Sequence, residues 1–359
     1  MLLSKAEHEL STRWVESKPE KPPKGHEPFP PAIRKRILNS TIRLVGGGFN
    51  GSGVIFNVKP GSVSIVTAAH NAMVFKKIKK PPQNWNNDAL TGDRGFKNKV
   101  KIWYGSDDLT FNSKLEKLAD IETVEVPTPT DGCDGRQNCL YDLMIITSKE
   151  PKLLRYAVEK VFGGTWSDDA NTLKGEIDKI NTAVKAEATL VKDQPNSFLS
   201  RKKYWFVQLG CGEIQEVNLD RRKKQSIVDE KIVEEFVDKG QCGGGFDVSA
   251  QRLQYRWTYP HSQKIASMFD QSGEATEAEA YAESSNAISI TGSRSSSSAP
   301  GDSGGPLYAI DKGYAGAYLI GVNCGADMKP GKKICLPYTN CVAVSVAPYW
   351  KSKFNTEFP

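Results

Sequence analysis

A serine lies between glycines near the C-terminal end of the chain, in SSAPGDSGGPLY, residues 297–308. A serine hydroxyl is a weak nucleophile until a base removes its proton, and the usual base is a histidine that a carboxylate orients. The segment therefore predicts a nucleophile at Ser303, provided that the chain also supplies a histidine and an acid. The alternative is a tight glycine turn in which the serine takes no part in chemistry.

The chain contains four histidines from which a base could be drawn: His8, His26, His70 and His261. The first two lie in an N-terminal stretch rich in proline and lysine, and His261 lies in a polar insertion. His70 follows VSIVTAA, a β-branched run that predicts a strand leading into a loop. We expect His70 to be the base, because a strand end holds a side chain in a fixed position.

The acid is expected at Asp142, which begins DLMIIT, residues 142–147. A buried strand there would hold the carboxylate rigidly. Asp120 and Asp134 stand in more polar surroundings and are the two other candidates. An aspartate before an apolar strand is also a common turn residue, so the assignment of Asp142 depends on its combination with the other two motifs.

The segment GDSGG also fits G-x-S-x-G, the nucleophile elbow of α/β-hydrolases. That elbow requires a helix after the serine and a histidine later in the chain. Pro306 and the strand-like LYAI follow Ser303 instead, and the last histidine is His261. The order of histidine, aspartate and serine therefore excludes the elbow.

Three motifs in this order resemble the chymotrypsin-like (trypsin-fold) serine proteases: TAAH at 67–70, DLMII at 142–146 and GDSGGP at 301–306. GSGVIF at 51–56 and VSVAPYW at 344–350 are also similar to that family, and the resemblance covers roughly residues 41–147 and 204–350. It implies an all-β fold of two antiparallel Greek-key six-stranded barrels, with helical insertions, an N-terminal extension and an active site between the barrels.

The resemblance also implies the roles of the site residues. Ser303 would attack the substrate, His70 would transfer the proton and Asp142 would orient the imidazole. The backbone N–H groups of Gly301 and Ser303 would form the oxyanion hole. The implied substrate pocket has a base at Ser297 and Ser298 and walls at Asn323, Cys324, Gly325, Ala326 and Thr339. No acid stands at its base, so we expect a small or medium apolar residue before the cut, unless Asp327 folds inward.

We therefore expect a serine endopeptidase that cleaves protein or peptide substrates through an acyl-enzyme, in limited proteolysis and without a cofactor or metal. The alternative is a catalytically weak or inactive protein-binding module on the same fold. The sequence does not indicate the oligomeric state.

Activation of zymogens in this family requires a cut that frees an amine for the aspartate before the nucleophile. RLVGGG at 43–48 and RKRILNS at 34–40 are similar to such a start. Both lie in or next to the first predicted strand, which leaves too little chain to reach a distant pocket. We expect activity without this cut, and another cationic or hydrogen-bonding partner for Asp302, because a lone buried carboxylate is unstable.

Short β-branched segments, punctuated by glycine, proline or asparagine, predict the strands. They lie at 41–45, 52–58, 62–68, 99–104, 121–126, 142–147, 204–210, 307–310, 317–323 and 341–346. Helical periodicity is predicted at 31–39, 153–162, 173–184 and 228–240. The resulting domains are an extension at 1–39, a first barrel at 40–150, a helical linker at 151–203 and a second barrel at 204–359, with an insertion at about 218–290. We expect the helices to pack against the barrels.

The composition limits the possible partners and location of the protein. It has 38% hydrophobic residues, 25% charged residues and a net charge of +6. The basic clusters are scattered, so no nucleic-acid partner is expected. No apolar run approaches the roughly 18 residues of a membrane span, so no membrane partner is expected. The start of the chain lacks the apolar region of a secretory signal, which favours the cytoplasm over export by another route or a trimmed signal.

The seven cysteines are an odd number, so at least one is unpaired or pairs between chains. By the resemblance, Asn71, Ala299 and Ala309 stand where secreted relatives often carry disulfide cysteines, which fits a reducing compartment. Two C-x5-C pairs, Cys133/Cys139 and Cys335/Cys341, are free thiols or local disulfides. A zinc site is disfavoured, because no C-x-x-C occurs and no histidine lies nearby.

Overall fold

The computed structural model describes residues 31–47, 49–69, 71–72, 91–93, 95–105, 115–125, 143–193, 198, 200, 202–212, 253–258, 260–261, 287–291, 301–313, 315–326 and 340–344. Within these ranges the chain is mostly β, with fourteen strands and four α-helices. The strands form two seven-stranded sheets in which every pairing is antiparallel.

The first sheet has the order β5-β4-β1-β2-β3-β7-β6. Its strands are β1 Thr41–Gly46, β2 Phe49–Lys59, β3 Ser62–Thr67, β4 Lys101–Tyr104, β5 Lys117–Ala119, β6 Thr123–Glu125 and β7 Met144–Ser148. The six strands predicted for this half are confirmed. The seventh strand, β5, was not predicted. It has three residues, of which two are exposed, and three residues are too few to show the alternation that predicts a strand.

The second sheet has the order β10-β11-β14-β13-β12-β8-β9. Its strands are β8 Tyr204–Gly210, β9 Gln254–Thr258, β10 Pro260–His261, β11 Ala287–Thr291, β12 Pro306–Asp311, β13 Ala317–Ala326 and β14 Asn340–Val344. The predicted strands at 204–210, 307–310, 317–323 and 341–346 are confirmed as β8, β12, β13 and β14. Each sheet has seven strands, whereas the resemblance implied two six-stranded barrels. Strands β9, β10 and β11 were not predicted.

The helices are α1 Pro31–Ser40, α2 Phe96–Lys99, α3 Pro151–Tyr156 and α4 Ala170–Asp193, and α3 continues as a π-helical turn, Ala157–Val161. The helices predicted at 31–39, 153–162 and 173–184 are thereby confirmed, and the one predicted at 228–240 lies outside the described residues. None of the described helices has the length and apolar character needed to cross a bilayer.

The two sheets share an apolar core between them. Strand residues alternate between opposite faces, so Trp205 and Val207 of β8 point into this shared core, while Tyr204 and Phe206 point to the outer face of the second sheet. Val54 and Phe56 of β2 enter the same core from the first sheet. Tyr308 and Ile310 place β12 in this core too, so the loop with the predicted nucleophile, Gly301–Gly305 (called the nucleophile loop), leads into a strand packed against the first sheet.

The helices complete both cores. Ile37 of α1 is fully buried in the core between the sheets, so this part of the N-terminal region belongs to the folded body. Leu153 of α3, Val158 of the π-helical turn and Ile177 of α4 pack on the other face of the first sheet, with its strand residues. The expectation that the helices pack against the sheets is confirmed for these three helical segments.

Candidate active site

Ser303 lies in a tight loop, Gly301–Gly305, that leads into β12. Gly301 and Gly304 have φ of +96° and +84°, a conformation that residues with a Cβ atom rarely adopt. A Cβ atom at Gly304 would stand 2.0 Å from the Oγ1 atom of Thr67, and one at Gly301 would stand 2.4 Å from the Nδ2 atom of Asn50. Glycine is therefore required on both sides of Ser303, because the loop is pressed against the first sheet.

The backbone of Ser303 is bound directly to the first sheet. Its carbonyl oxygen accepts a hydrogen bond from the backbone N–H of Ser52, at 2.9 Å. It accepts a second from the Nδ2 atom of Asn71, at 3.1 Å. Asn71 is also linked to the end of β3, since Nδ2 donates to the Oγ1 atom of Thr67 at 2.9 Å. Two separate segments of the first sheet thus hold Ser303 in place.

The side chain of Ser52 makes a second connection to the same loop. Its Oγ atom donates to the carbonyl oxygen of Gly301 at 2.7 Å and accepts from the backbone N–H of Cys211 at 2.8 Å. Its carbonyl oxygen accepts from the hydroxyl of Thr67 at 2.6 Å. Ser52 is fully buried, so these bonds form away from water, where leaving any of the groups unpaired is unfavourable.

The carboxylate of Asp302, for which a partner was expected, lies against the end of β8. Its Oδ1 atom accepts a hydrogen bond from the backbone N–H of Gly212 at 2.8 Å. Cβ atoms at Gly210 and Gly212 would stand 2.2 Å and 2.5 Å from that oxygen, so the pair of glycines makes room for it. Between them Cys211 is fully buried, and burial raises the pKa of its thiol to about 12.

The strands that lead to the predicted base and acid are neighbours. Thr67 at the end of β3 is paired with Met144 at the start of β7. In the sequence, His70 stands three positions after Thr67 and Asp142 stands two positions before Met144. His70 and Asp142 themselves lie outside the described residues. Both predicted residues are thus close in sequence to the end of the strand pair that carries Thr67, the residue that binds Asn71.

The alternative acid Asp120 lies at the opposite end of this strand pair. Its carbonyl oxygen accepts from the hydroxyl of Ser148, the last residue of β7, at 2.6 Å. Ser148 is four residues from Met144, a distance of about 13 Å along a strand. The Asp120 carboxylate is solvent-exposed and pairs with Lys101. The structure therefore does not bring Asp120 to Ser303, and the other alternative, Asp134, lies outside the described residues.

The alternative histidine, His261, lies on β10, at the edge of the second sheet. Strands β11, β14 and β13 separate it from β12, the strand that follows Ser303. Its side chain is not among those that the structure describes. Three strands thus stand between His261 and the strand that follows Ser303, whereas Asn71 binds the carbonyl oxygen of Ser303 directly.

Of the predicted pocket residues, Asn323 lies directly beside the nucleophile loop. Its carbonyl oxygen accepts from the N–H of Gly304 at 2.7 Å, and its own N–H donates to the carbonyl of Gly305 at 2.8 Å. Three further predicted wall residues follow on the same strand, β13, and their side chains are not described: Cys324, Gly325 and Ala326. The predicted residues Ser297, Ser298 and Thr339 lie outside the described part of the chain.

Four residues that contact this loop were not predicted as site residues. Two of them, Asn50 and Ser52, belong to FNGSG, where glycines on either side of Ser52 signal a close approach of backbone. Asn71 directly follows His70. Cys211 stands between two glycines at the end of a buried strand, in LGCG at 209–212, which is the same kind of signal.

Most of the cysteines in the two predicted C-x5-C pairs are outside the described residues. Cys133, Cys139 and Cys335 lie outside the described residues, and Cys341 is on β14, where its side chain is not described. Cys211 is a free, buried thiol. Within the described part of the chain, no group of three or more His, Cys, Asp or Glu side chains is arranged to hold a metal ion.

Comparison with known proteins adds no relative. The chain matches no protein-family model, and no curated protein sequence is significantly similar to it. The interpretation of the site therefore depends on the motifs in the sequence and on the contacts of the nucleophile loop.

Proposed function

We propose that this protein is a serine endopeptidase with Ser303 as nucleophile, His70 as base and Asp142 as orienting acid. The observation that carries the proposal is the hydrogen bond from Asn71 to the carbonyl oxygen of Ser303. Asn71 is covalently joined to His70, so the segment with the expected base is attached to the backbone of the expected nucleophile. A glycine turn without a chemical role would not need this connection to the histidine segment.

In the proposed reaction, His70 removes the proton of the Ser303 hydroxyl while the hydroxyl oxygen attacks the carbonyl carbon of the scissile peptide bond. The tetrahedral intermediate collapses, the C–N bond breaks, and His70 gives the proton to the leaving amine. A water molecule then loses a proton to His70 and attacks the acyl-enzyme. The ester C–O bond breaks, His70 returns the proton to the Ser303 oxygen, and the acid is released. Asp142 stabilises the imidazolium in both steps.

The oxyanion is assigned to the backbone N–H groups of Gly301 and Ser303. The left-handed conformation of Gly301 supports this assignment, because it allows the loop to turn within one residue of Asp302. The Ser52 hydroxyl binds the carbonyl of Gly301, which fixes the peptide plane between Gly301 and Asp302 and so the turn between the two assigned donors. Donors held in place in this way need no reorganisation when negative charge develops on the substrate.

The substrate is proposed to be a protein or peptide that lies along β13, next to Ser303. The backbone bonds between Asn323 and the loop support this position. We further propose that each sheet closes into a Greek-key barrel, with the active site between the two. The packing of β2 against β8 and β12 through a common core is compatible with that arrangement.

The decisive experiment is labelling with a fluorophosphonate probe, which reacts with an activated serine. We expect the full chain to be labelled once, and Ser303→Ala to abolish labelling. Ser148→Ala is the control, because Ser148 is a buried, hydrogen-bonded serine at the far end of β7, away from Ser303. Absence of labelling of the folded wild type at every pH from 6 to 9 would overturn the proposal and favour the protein-binding module.

A further inference from the structure

Arg43 is a buried cation beside the nucleophile loop. It lies on β1, only 3% exposed, although arginine is rarely buried without a partner. Its Nε atom donates to the Oδ1 atom of Asn50 at 2.7 Å, and its Nη1 atom has no hydrogen-bond partner within the described part of the chain. A buried guanidinium stays charged, so losing its bond to Asn50 would be unfavourable.

Asn50 connects Arg43 to the loop. The Nδ2 atom of Asn50 is 3.5 Å from the carbonyl oxygen of Cys211, and it occupies the space that a Cβ atom at Gly301 would need. Arg43 is paired across the β1–β2 hairpin with Ser52, which itself binds Gly301 and Cys211. One surface of the hairpin, made of Arg43, Asn50 and Ser52, therefore faces the loop and the end of β8.

The loop and the hairpin meet at the end of β8. The Asp302 carboxylate accepts from the N–H of Gly212, the residue after Cys211. The N–H of Cys211 donates to Ser52, and its carbonyl oxygen lies 3.5 Å from the Nδ2 atom of Asn50. The segment Cys211–Gly212 therefore contacts both the hairpin and the loop.

We propose that Arg43, by holding Asn50 against Gly301, keeps the Gly301–Ser303 loop in its reactive conformation. This inference rests on the proposed function and adds to it a positioning residue. Arg43 is interior to the sheet, since β1 lies between β4 and β2. A cut after Arg43 would divide an interior strand, so RLVGGG is a structural segment that works uncut.

The test compares Arg43→Met, Arg43→Lys and Asn50→Ala, with Arg36→Met as the control. Arg36 is also partly buried, but it pairs with Glu187, away from the loop. With Arg43→Met we expect the rate of fluorophosphonate labelling and kcat to fall about tenfold or more, with KM changed by less than about twofold, because oxyanion donors act on the transition state. Arg43→Lys should recover part of the loss, and Arg36→Met should keep the wild-type labelling rate.

Asn50→Ala keeps the charge and removes only the connection, so it should also label about tenfold more slowly. If Arg43→Met does not fold, the labelling rate of Asn50→Ala tests the inference instead. Wild-type labelling of folded Arg43→Met, or of Asn50→Ala in that case, would overturn the inference while leaving the proposed function intact.

Discussion

The side-chain amide of Asn71 donates a hydrogen bond to the carbonyl oxygen of Ser303, 3.1 Å away and across the two sheets. The same Nδ2 atom donates to Thr67, whose hydroxyl in turn donates to the carbonyl oxygen of Ser52. Ser52 completes a ring, because its backbone N–H donates to the carbonyl oxygen of Ser303. Four residues thus form a ring of hydrogen bonds that determines where Ser303 lies relative to the end of β3.

We predict that Asn71→Ala slows fluorophosphonate labelling about tenfold and lowers the free energy of unfolding by about 1–2 kcal/mol, the usual effect of losing buried hydrogen bonds. Labelling kinetics and urea unfolding measure the two effects. Asn39→Ala is the matched control, because Asn39 is equally buried and makes comparable bonds to Lys160 and Tyr156. It should lose similar stability at an unchanged labelling rate; equal slowing by both variants would show that Asn71 acts only through stability.

Ser52→Ala removes one hydroxyl that serves two partners in the second sheet, Gly301 and Cys211. Because a carbonyl and an N–H are then buried without that partner, we expect the free energy of unfolding to fall by about 2–4 kcal/mol. Labelling should slow as well, since the Gly301 peptide loses its anchor. Ser148→Ala also removes a hydrogen bond to a backbone carbonyl, that of Asp120, but should label normally. Urea unfolding of both variants beside labelling kinetics separates the two effects.

Gly304→Ala tests how closely the loop approaches the first sheet. Its Cβ atom would collide with Thr67 and with the carbonyl oxygen of Ser52, at 2.0 Å and 2.3 Å, and φ is positive. Gly61 has a similar φ of +80° but open space around its Cβ position. We expect Gly61→Ala to lower the free energy of unfolding by about 1 kcal/mol, from backbone strain alone. Gly304→Ala should lower it by about 4 kcal/mol or more, measured by urea unfolding; equal effects would refute the close approach.

Much of the fold could be predicted from short sequence patterns. TIRLV, SVSIVTA and YWFVQLG are β-branched or aromatic runs that end at glycine or polar residues, and each forms a strand at nearly the predicted bounds. The short strand Lys117–Ala119 could not be predicted, because its pairing with β4 arises from tertiary contact and not from a local pattern.

The site was predictable only where chemistry requires a particular residue type. Ser303 was proposed from its glycines, whose left-handed conformations are a local property that a sequence shows. The residues that hold the loop were not predicted, because Ser52 and Asn71 meet it only through the packing of two sheets distant in sequence. A lone arginine in a predicted strand gives no sign that it will be buried.

Alkaline pH offers a further test of the cores. Burial raises the pKa of the Cys211 thiol from 9.0 to about 12 and that of the Tyr308 phenol from 10.0 to about 12. Both groups are neutral when protonated, so the folded chain keeps protons that the unfolded chain has lost. Their contribution to stability is complete below about pH 9 and is lost as the pH rises through 12. Above its unfolded pKa, each group adds a slope of about 1.4 kcal/mol per pH unit.

We therefore predict that the free energy of unfolding of the wild type falls steadily from pH 9 to pH 11. Tyr308→Phe should reduce the steepness above pH 10 by about 1.4 kcal/mol per pH unit, because one titrating group is gone. It should also lower stability at pH 7 by about 1 kcal/mol, since the Ser40 hydroxyl loses the phenol partner 2.7 Å away. Urea unfolding at half-unit intervals of pH measures both. If the two proteins show parallel curves above pH 10, the phenol of Tyr308 is already ionised in the folded state, and its burial between the sheets is wrong.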